Sequence, residues 1–150
     1  MSALIRKCCG TCLLVLLLAL PGWVSAEQSM TFGEYTVHYN AFTSDLLQAE
    51  VAKRYGISRS KGKGVINISV LKKTEAGTVP VKAVVSATAA NLSAQLRTIN
   101  LREITEKDSV YYIGEFAVNN EETLKFTLQV TPEGGKEPYT ATFDQQFFTE

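Results

Sequence analysis

From Gly64 onward, apolar and polar residues alternate with a period of two. Ile66, Ile68 and Val70 alternate with Asn67 and Ser69, and Val79, Val81, Ala83, Val85 and Ala87 follow the turn at Glu75–Thr78. Val110, Tyr112, Phe116 and Val118 alternate with Tyr111, Ile113 and Glu115; Leu124, Phe126, Leu128 and Val130 alternate with Lys125, Thr127 and Gln129. Such alternation marks strands with one buried face. Turn signals at Asn119-Asn120 and Pro132-Glu133-Gly134-Gly135 separate them, and Tyr139, Ala141, Phe143 and Phe147 end the pattern. Upstream, residues 30–39 read as one strand, with Tyr35, Val37 and Tyr39 on one face and Thr36, His38 and Asn40 on the other.

One stretch departs from this period. Leu47, Val51 and Tyr55 recur at helical spacing, Asp45 and Gln48 suit a variant capping box, Lys53 and Arg54 suit a helix C-terminus, and Gly56 fits the stop position. A short helix over residues 45–55, laid on a sheet edge and plugging one end of the fold, is predicted. The whole pattern predicts an all-β protein, an antiparallel immunoglobulin-like β-sandwich of seven or eight strands, with one short helix between the first and second strands.

The first 26 residues read as an address. Arg6 and Lys7 precede the apolar run Leu13–Leu20, and Val24-Ser25-Ala26 supplies small residues for cleavage, so a cleaved signal peptide over 1–26 and a single domain over 27–150 are expected. The apolar run is too short to span a bilayer core, which takes about 20 apolar residues. A periplasmic protein, without a stable membrane anchor after cleavage, is therefore expected. Cys8, Cys9 and Cys12 all fall in the leader, so the 124-residue domain has no disulfide or thiolate and must be held by its core.

Charge is unevenly distributed. Residues 27–50 carry four acids and no Lys or Arg, residues 51–102 carry ten Lys or Arg against Glu75 alone, and residues 103–150 carry ten acids against three Lys. The cations Lys53, Arg54, Arg59, Lys61 and Lys63, together with His38 and Asn40, form the candidate binding set. Either this region meets an acidic partner, or the later acidic strands fold onto it and neutralise it.

The inventory argues against catalysis. His38 is the sole histidine, no G-x-S-x-G elbow is present, and no spacing spells a zinc site. Glycines 62 and 64 flank Lys63 but a strand follows, whereas a phosphate-binding loop opens a helix. Nucleic acid is excluded as a partner by compartment and by aromatics at core spacing. A non-enzymatic protein without cofactor or metal is expected. Its partner would be an unknown acidic protein or anionic envelope component. A secreted inhibitor inserting the 40–45 and 59–64 loops into an envelope hydrolase, and an assembly chaperone working by edge-strand capture, are the alternatives.

The segments FGEYTVHYNAF, LLQAEVAKRYGISRSKGKGVINISVL, YYIGEF and YTATFDQQFF resemble a family of small exported proteins of Gram-negative bacteria grouped as a domain of unknown function. H-Y-N and Y-G-I-x-R-S-K are the most specific parts. The resemblance covers nearly all of the chain after residue 26 and implies a periplasmic, single-domain protein; it carries no catalytic residue with it.

Overall fold

The computed structural model describes residues 28–150. The expected leader and its three cysteines lie outside these residues. Two antiparallel sheets form the sandwich. One carries β1 (Gln28–Phe32), β2 (Tyr35–Thr43), β3 (Lys63–Thr74), β4 (Gly77–Pro80), β7 (Leu101–Glu106) and β8 (Ser109–Ala117) in the order β1-β2-β3-β8-β7, with β4 also on β3. The other carries β10 (Tyr139–Phe147), β9 (Glu122–Pro132), β5 (Ala83–Ala90) and β6 (Leu96–Ile99), in that order. The long β3 changes partner midway: Lys63–Ile68 pair with β8 and Leu71–Thr74 with β4.

The strand total is therefore ten, where the alternation suggested seven or eight. Two segments read as continuous are divided. Residues 30–39 fold back as a β1–β2 hairpin at Gly33, whose φ of 59° is readily adopted only without a side chain. Ile99 and Leu101 belong to different strands, because the chain crosses between the sheets at Asn100. The helix consequently follows the second strand.

The inward faces interlock as the alternation predicts. Val37, Ile66, Ile68 and Val70 of one sheet meet Leu124, Phe126, Leu128 and Val130 of the other, all at 0 % exposure. Phe126 is stacked on Phe143 at 4.7 Å between centroids and meets Phe116 edge-on at 5.2 Å, while Tyr39 stacks on Phe143 at 4.5 Å. Gly64 lies against the Phe116 ring so closely that a Cβ there would overlap it. A glycine is thus required where β3 begins.

The helical region is shorter and differently placed than predicted. A 3-10 turn, Ser44–Leu46, precedes α1, Ala49–Arg54. Neither start carries a side-chain cap, so the Asp45/Gln48 box does not form; extended backbone at Leu47 and Gln48 separates the two pieces. The stop is as read. Gly56, at φ 64°, donates to the Lys53 carbonyl at 3.2 Å and Ile57 donates to the Ala52 carbonyl at 2.8 Å, the paired bonds of a Schellman motif. Ala52 and Ile57 then bury themselves on Val65 and Ile113, which face outward from the larger sheet. The helix therefore covers the outer face of that sheet, and does not plug an end of the sandwich or lie on a sheet edge. Among the described residues no helix is long and apolar enough to cross a membrane.

Candidate functional site

Ser44 organises one end of the sandwich. It follows β2, is fully buried, and its hydroxyl oxygen accepts the Ser60 N–H at 2.9 Å while its proton lies within reach of the carbonyls of Ser58 (2.9 Å) and Ser60 (3.1 Å). Loop 58–62 is fastened by further bonds. The Arg59 guanidinium donates to the Asp45 carbonyl at 2.8 Å, the Gly62 N–H to the Ser60 hydroxyl at 3.1 Å, and the Val118 N–H to the Gly62 carbonyl at 3.1 Å. Each bond contributes about 0.5–1.5 kcal/mol net, so together they hold the basic loop in one shape. Its neighbour, the turn 119–122, is fixed by Arg97, which meets Glu122 at 2.5 Å and donates to the Ala117 carbonyl at 2.9 Å.

The candidate residues occupy three places. Arg59, Lys61 and Lys63 are exposed on the fastened loop and at the start of β3. Lys53 and Arg54 are exposed on the last turn of α1. Arg54 borders a separate hollow of about 590 Å³ with Glu106, Lys107 and Asp108. His38 and Asn40 stand on the outer face of β2, opposite Ser69 and Asn67 of β3. The 40–45 and 59–64 segments do share one end of the sandwich, although β2 extends to Thr43 and leaves only Ser44–Leu46 as turn.

The ion pairs decide which cations are neutralised. Lys72 pairs with Glu34 at 3.7 Å, Lys82 with Glu103 at 3.1 Å, and Arg97 with Glu122. Among the described residues, none of Lys53, Arg54, Arg59, Lys61 and Lys63 is in such a pair. The acidic third of the chain thus neutralises Lys82 and Arg97 and, among the described residues, forms no ion pair with those five cations. The Lys82–Glu103 contact raises the Lys82 pKa and lowers that of Glu103, chiefly through their hydrogen bond. Lys82 also borders the opposite end, where a cleft of about 900 Å³ is lined by Tyr35, Lys72, Lys82, Lys107, Asp108 and Glu133. There Lys72 also sits 5.7 Å from the Tyr35 ring centroid.

Arg97 holds the Glu122 carboxylate below its ordinary pKa, first through their hydrogen bonds. A depressed folded-state pKa gives stability that is present above the unfolded value, about 4.3, and is lost as pH falls through the folded value. Acid unfolding of Glu122→Gln should therefore show a shallower decline in stability below pH 4 than the unaltered chain, measured by urea melts across pH 2–6. Equal slopes would show that the pair contributes nothing to acid sensitivity.

Sequence reasoning missed Ser44, which no motif marks, and the C-terminal segment 145–150. Phe148 was legible in principle: Phe143 and Phe147 share a phase, and Phe148 is out of it, which predicts exposure. It is 59 % exposed and, with Leu46 at 70 %, borders a groove of about 440 Å³ beside Lys61. Among the described residues no group of three or more His, Cys, Asp or Glu is placed to hold a metal ion.

No curated protein matches the chain in sequence. Among solved structures, a DUF4426 family protein from Pseudomonas aeruginosa PAO1 is 34 % identical, aligned over 85 % of this chain and 99 % of its own, with a TM-score of 0.72. A copper-bound variant of FetP from uropathogenic Escherichia coli strain F11 shares the fold at a TM-score of 0.58 and 11 % identity, over 83 % of this chain and 97 % of its own. FetP from the same strain, expressed recombinantly in the E. coli periplasm, gives 0.58 at 12 % identity, over 83 % and 95 %. At those identities the FetP structures speak to fold alone. The family model described as domain of unknown function (DUF4426) matches residues 29–150, and with it the chain belongs to the DUF4426 family.

Proposed function

We propose that this protein is a non-enzymatic periplasmic binding module that meets an acidic partner, a protein or an anionic envelope component, through the end of the sandwich built by Ser44–Leu46 and loop 58–63. The observation that carries this reading is the combination at one place of fixed shape and uncompensated charge. Loop 58–62 is fastened through the buried Ser44 hydroxyl, and Arg59, Lys61 and Lys63 project from it without an ion-pair partner among the described residues. A fixed loop loses little conformational freedom on binding, and exposed cations raise the encounter rate with an acidic surface. Export is supported by the leader pattern in residues 1–26.

The shared end also favours a second reading, a loop-inserting inhibitor of an envelope hydrolase. Two adjacent, mutually hydrogen-bonded loops are what insertion requires.

Chemical-shift mapping with polyglutamate as an acidic probe separates the two basic regions. Shifts should concentrate at residues 59–63 and fade between about 50 and 500 mM salt, as screening of exposed charge requires. Shifts concentrated at Lys72, Lys82 and Lys107 would move the site to the opposite cleft.

A further inference from the structure

Exposed large apolar side chains gather at one end of the sandwich. Of the six among the described residues, four belong to the end that carries loop 58–62: Leu46 (70 %), Leu92 (88 %), Leu96 (68 %) and Phe148 (59 %). Exposed apolar residues scattered singly need no explanation; four at one end do. Loop 91–95, between β5 and β6, borders the turn 119–122 across a small hollow. That turn receives the Thr149 N–H on the Asn120 side-chain oxygen at 2.9 Å, next to Phe148, and Leu46 and Phe148 border one groove. Leu92 and Leu96 lie at the β6 margin, away from β1, because Phe32 and Tyr39 stack on β10 at the other margin.

The tip that carries Leu92 suits an apolar contact. No charged residue occurs from Ala83 to Leu96. The Asn91 side-chain oxygen accepts the N–H groups of Ser93 and Gln95, each at 3.0 Å, and its amide donates to the Gln95 side chain at 2.8 Å. The Asn91 and Ala94 N–H groups bond to the carbonyls of Gln95 and Asn91, and Ala94 takes a left-handed φ of 60° to close the loop. Backbone donors satisfied within the loop need no water, so they tolerate a dry interface.

Net charge selects no partner for the end as a whole. Arg59, Lys61 and Lys63 are matched in number by Asp45, Glu121 and Glu150, and Arg97 is paired with Glu122. The course of the chain does select one. β1 runs away from this end toward the turn at Gly33, so the chain enters the domain here, and the apolar run Leu13–Leu20 ends shortly before Gln28. While that run is held in a bilayer, this is the end that faces it.

We infer that this end docks reversibly on a phospholipid bilayer, with Leu46, Leu92, Leu96 and Phe148 dipping into the headgroup boundary. The contact goes beyond the acidic-partner reading, because it draws on apolar area and needs no net charge. Its strength is that of a marginal peripheral anchor, on the order of 10⁴ M⁻¹.

Residues 27–150 contain no tryptophan and hold both sheets with their core, so a reporter can be placed in them. Leu92→Trp and Val84→Trp replace side chains of similar exposure; Val84, at 77 %, pairs with Thr131 near the opposite end. With phosphatidylcholine vesicles at about 1 mM lipid, an excess over a dissociation constant near 0.1 mM, the emission of Leu92→Trp should shift to the blue. Lipid brominated in its acyl chains should quench it, whereas Val84→Trp should show neither effect. Adding Leu96→Asp should weaken vesicle binding about tenfold, one leucine's worth of burial. Vesicles containing about a quarter phosphatidylglycerol should bind within about threefold of neutral ones, since cations and acids balance at this end. No shift in Leu92→Trp would overturn the inference and leave the basic-loop reading standing, and equal quenching of both reporters would overturn it as unspecific adsorption. Binding that needs anionic lipid and vanishes in Arg59→Glu/Lys61→Glu would also overturn it, returning the contact to the basic loop.

Discussion

Phe126→Ala is expected to lower the unfolding free energy by about 3–5 kcal/mol, the range for removing a fully buried aromatic ring. Phe126 is at 0 % exposure on β9, stacked on Phe143 and set edge-on to Phe116 and Phe147 at 5.2 and 6.2 Å. Its ring therefore joins strands of both sheets, and its loss leaves a cavity that three neighbouring rings have to line. No disulfide can compensate, since the described residues contain no cysteine. Domain stability is about 5–15 kcal/mol in total, so the variant should be near the margin of folding. Urea denaturation checks this: the midpoint should fall with little change in slope. A loss below about 1 kcal/mol would mean that the aromatic cluster repacks and that the sandwich core is less fixed than its geometry indicates.

Ser44→Ala is expected to cost about 1–3 kcal/mol, because it strands a backbone donor that the hydroxyl now satisfies. The Ser60 N–H loses its acceptor, and the carbonyls of Ser58 and Ser60 lose a donor. The loss is local in character. Amide exchange at residues 58–62 should accelerate more than in the core strands, as expected for a loop released from its fastening. Binding of an acidic partner should weaken too, although no charge has changed, because the loop must then be ordered at the moment of contact. Unchanged exchange in the loop would show that Arg59, Gly62 and Val118 hold it without Ser44.

How much of this was legible in the sequence depends on which residues carry the signal. The core strands were plain, because Ile66, Ile68 and Val70 of β3, Leu124, Phe126, Leu128 and Val130 of β9, and Tyr139, Ala141 and Phe143 of β10 each hold one apolar phase. The β1–β2 hairpin also left a mark that alternation alone overlooks: Met30 and Phe32 are in even phase, Tyr35, Val37 and Tyr39 in odd, and the slip falls at Gly33-Glu34. Ile99 and Leu101 show no such slip. Both point toward the core although they lie in different sheets, so the crossing at Asn100 was hidden.

The helix's resting place was encoded in residues that looked like noise. Val65 and Ile113 are apolar in the phase that carries Asn67, Ser69 and Glu115, and they are where Ala52 and Ile57 pack. Gly56 told where the helix stops because a left-handed residue ends it by local geometry alone. The charge question was not legible in either direction. Neutralisation depends on which strands are neighbours, and sequence order alone does not set Glu103 beside Lys82 or Glu122 beside Arg97. The candidate cations form one set along the chain, yet in space they divide between a loop and a helix end, with His38 and Asn40 apart on an outer sheet face.

A capture experiment decides whether recognition lies on the Arg59–Lys63 loop. The domain and its Arg59→Glu/Lys61→Glu variant are each presented to envelope extract at low and high salt, with folding of both verified by their thermal unfolding. The expected result is a partner retained by the unaltered protein at low salt, lost at high salt and lost in the variant. A partner held equally by both proteins at both salt concentrations would contradict it and make the uneven charge a matter of solubility.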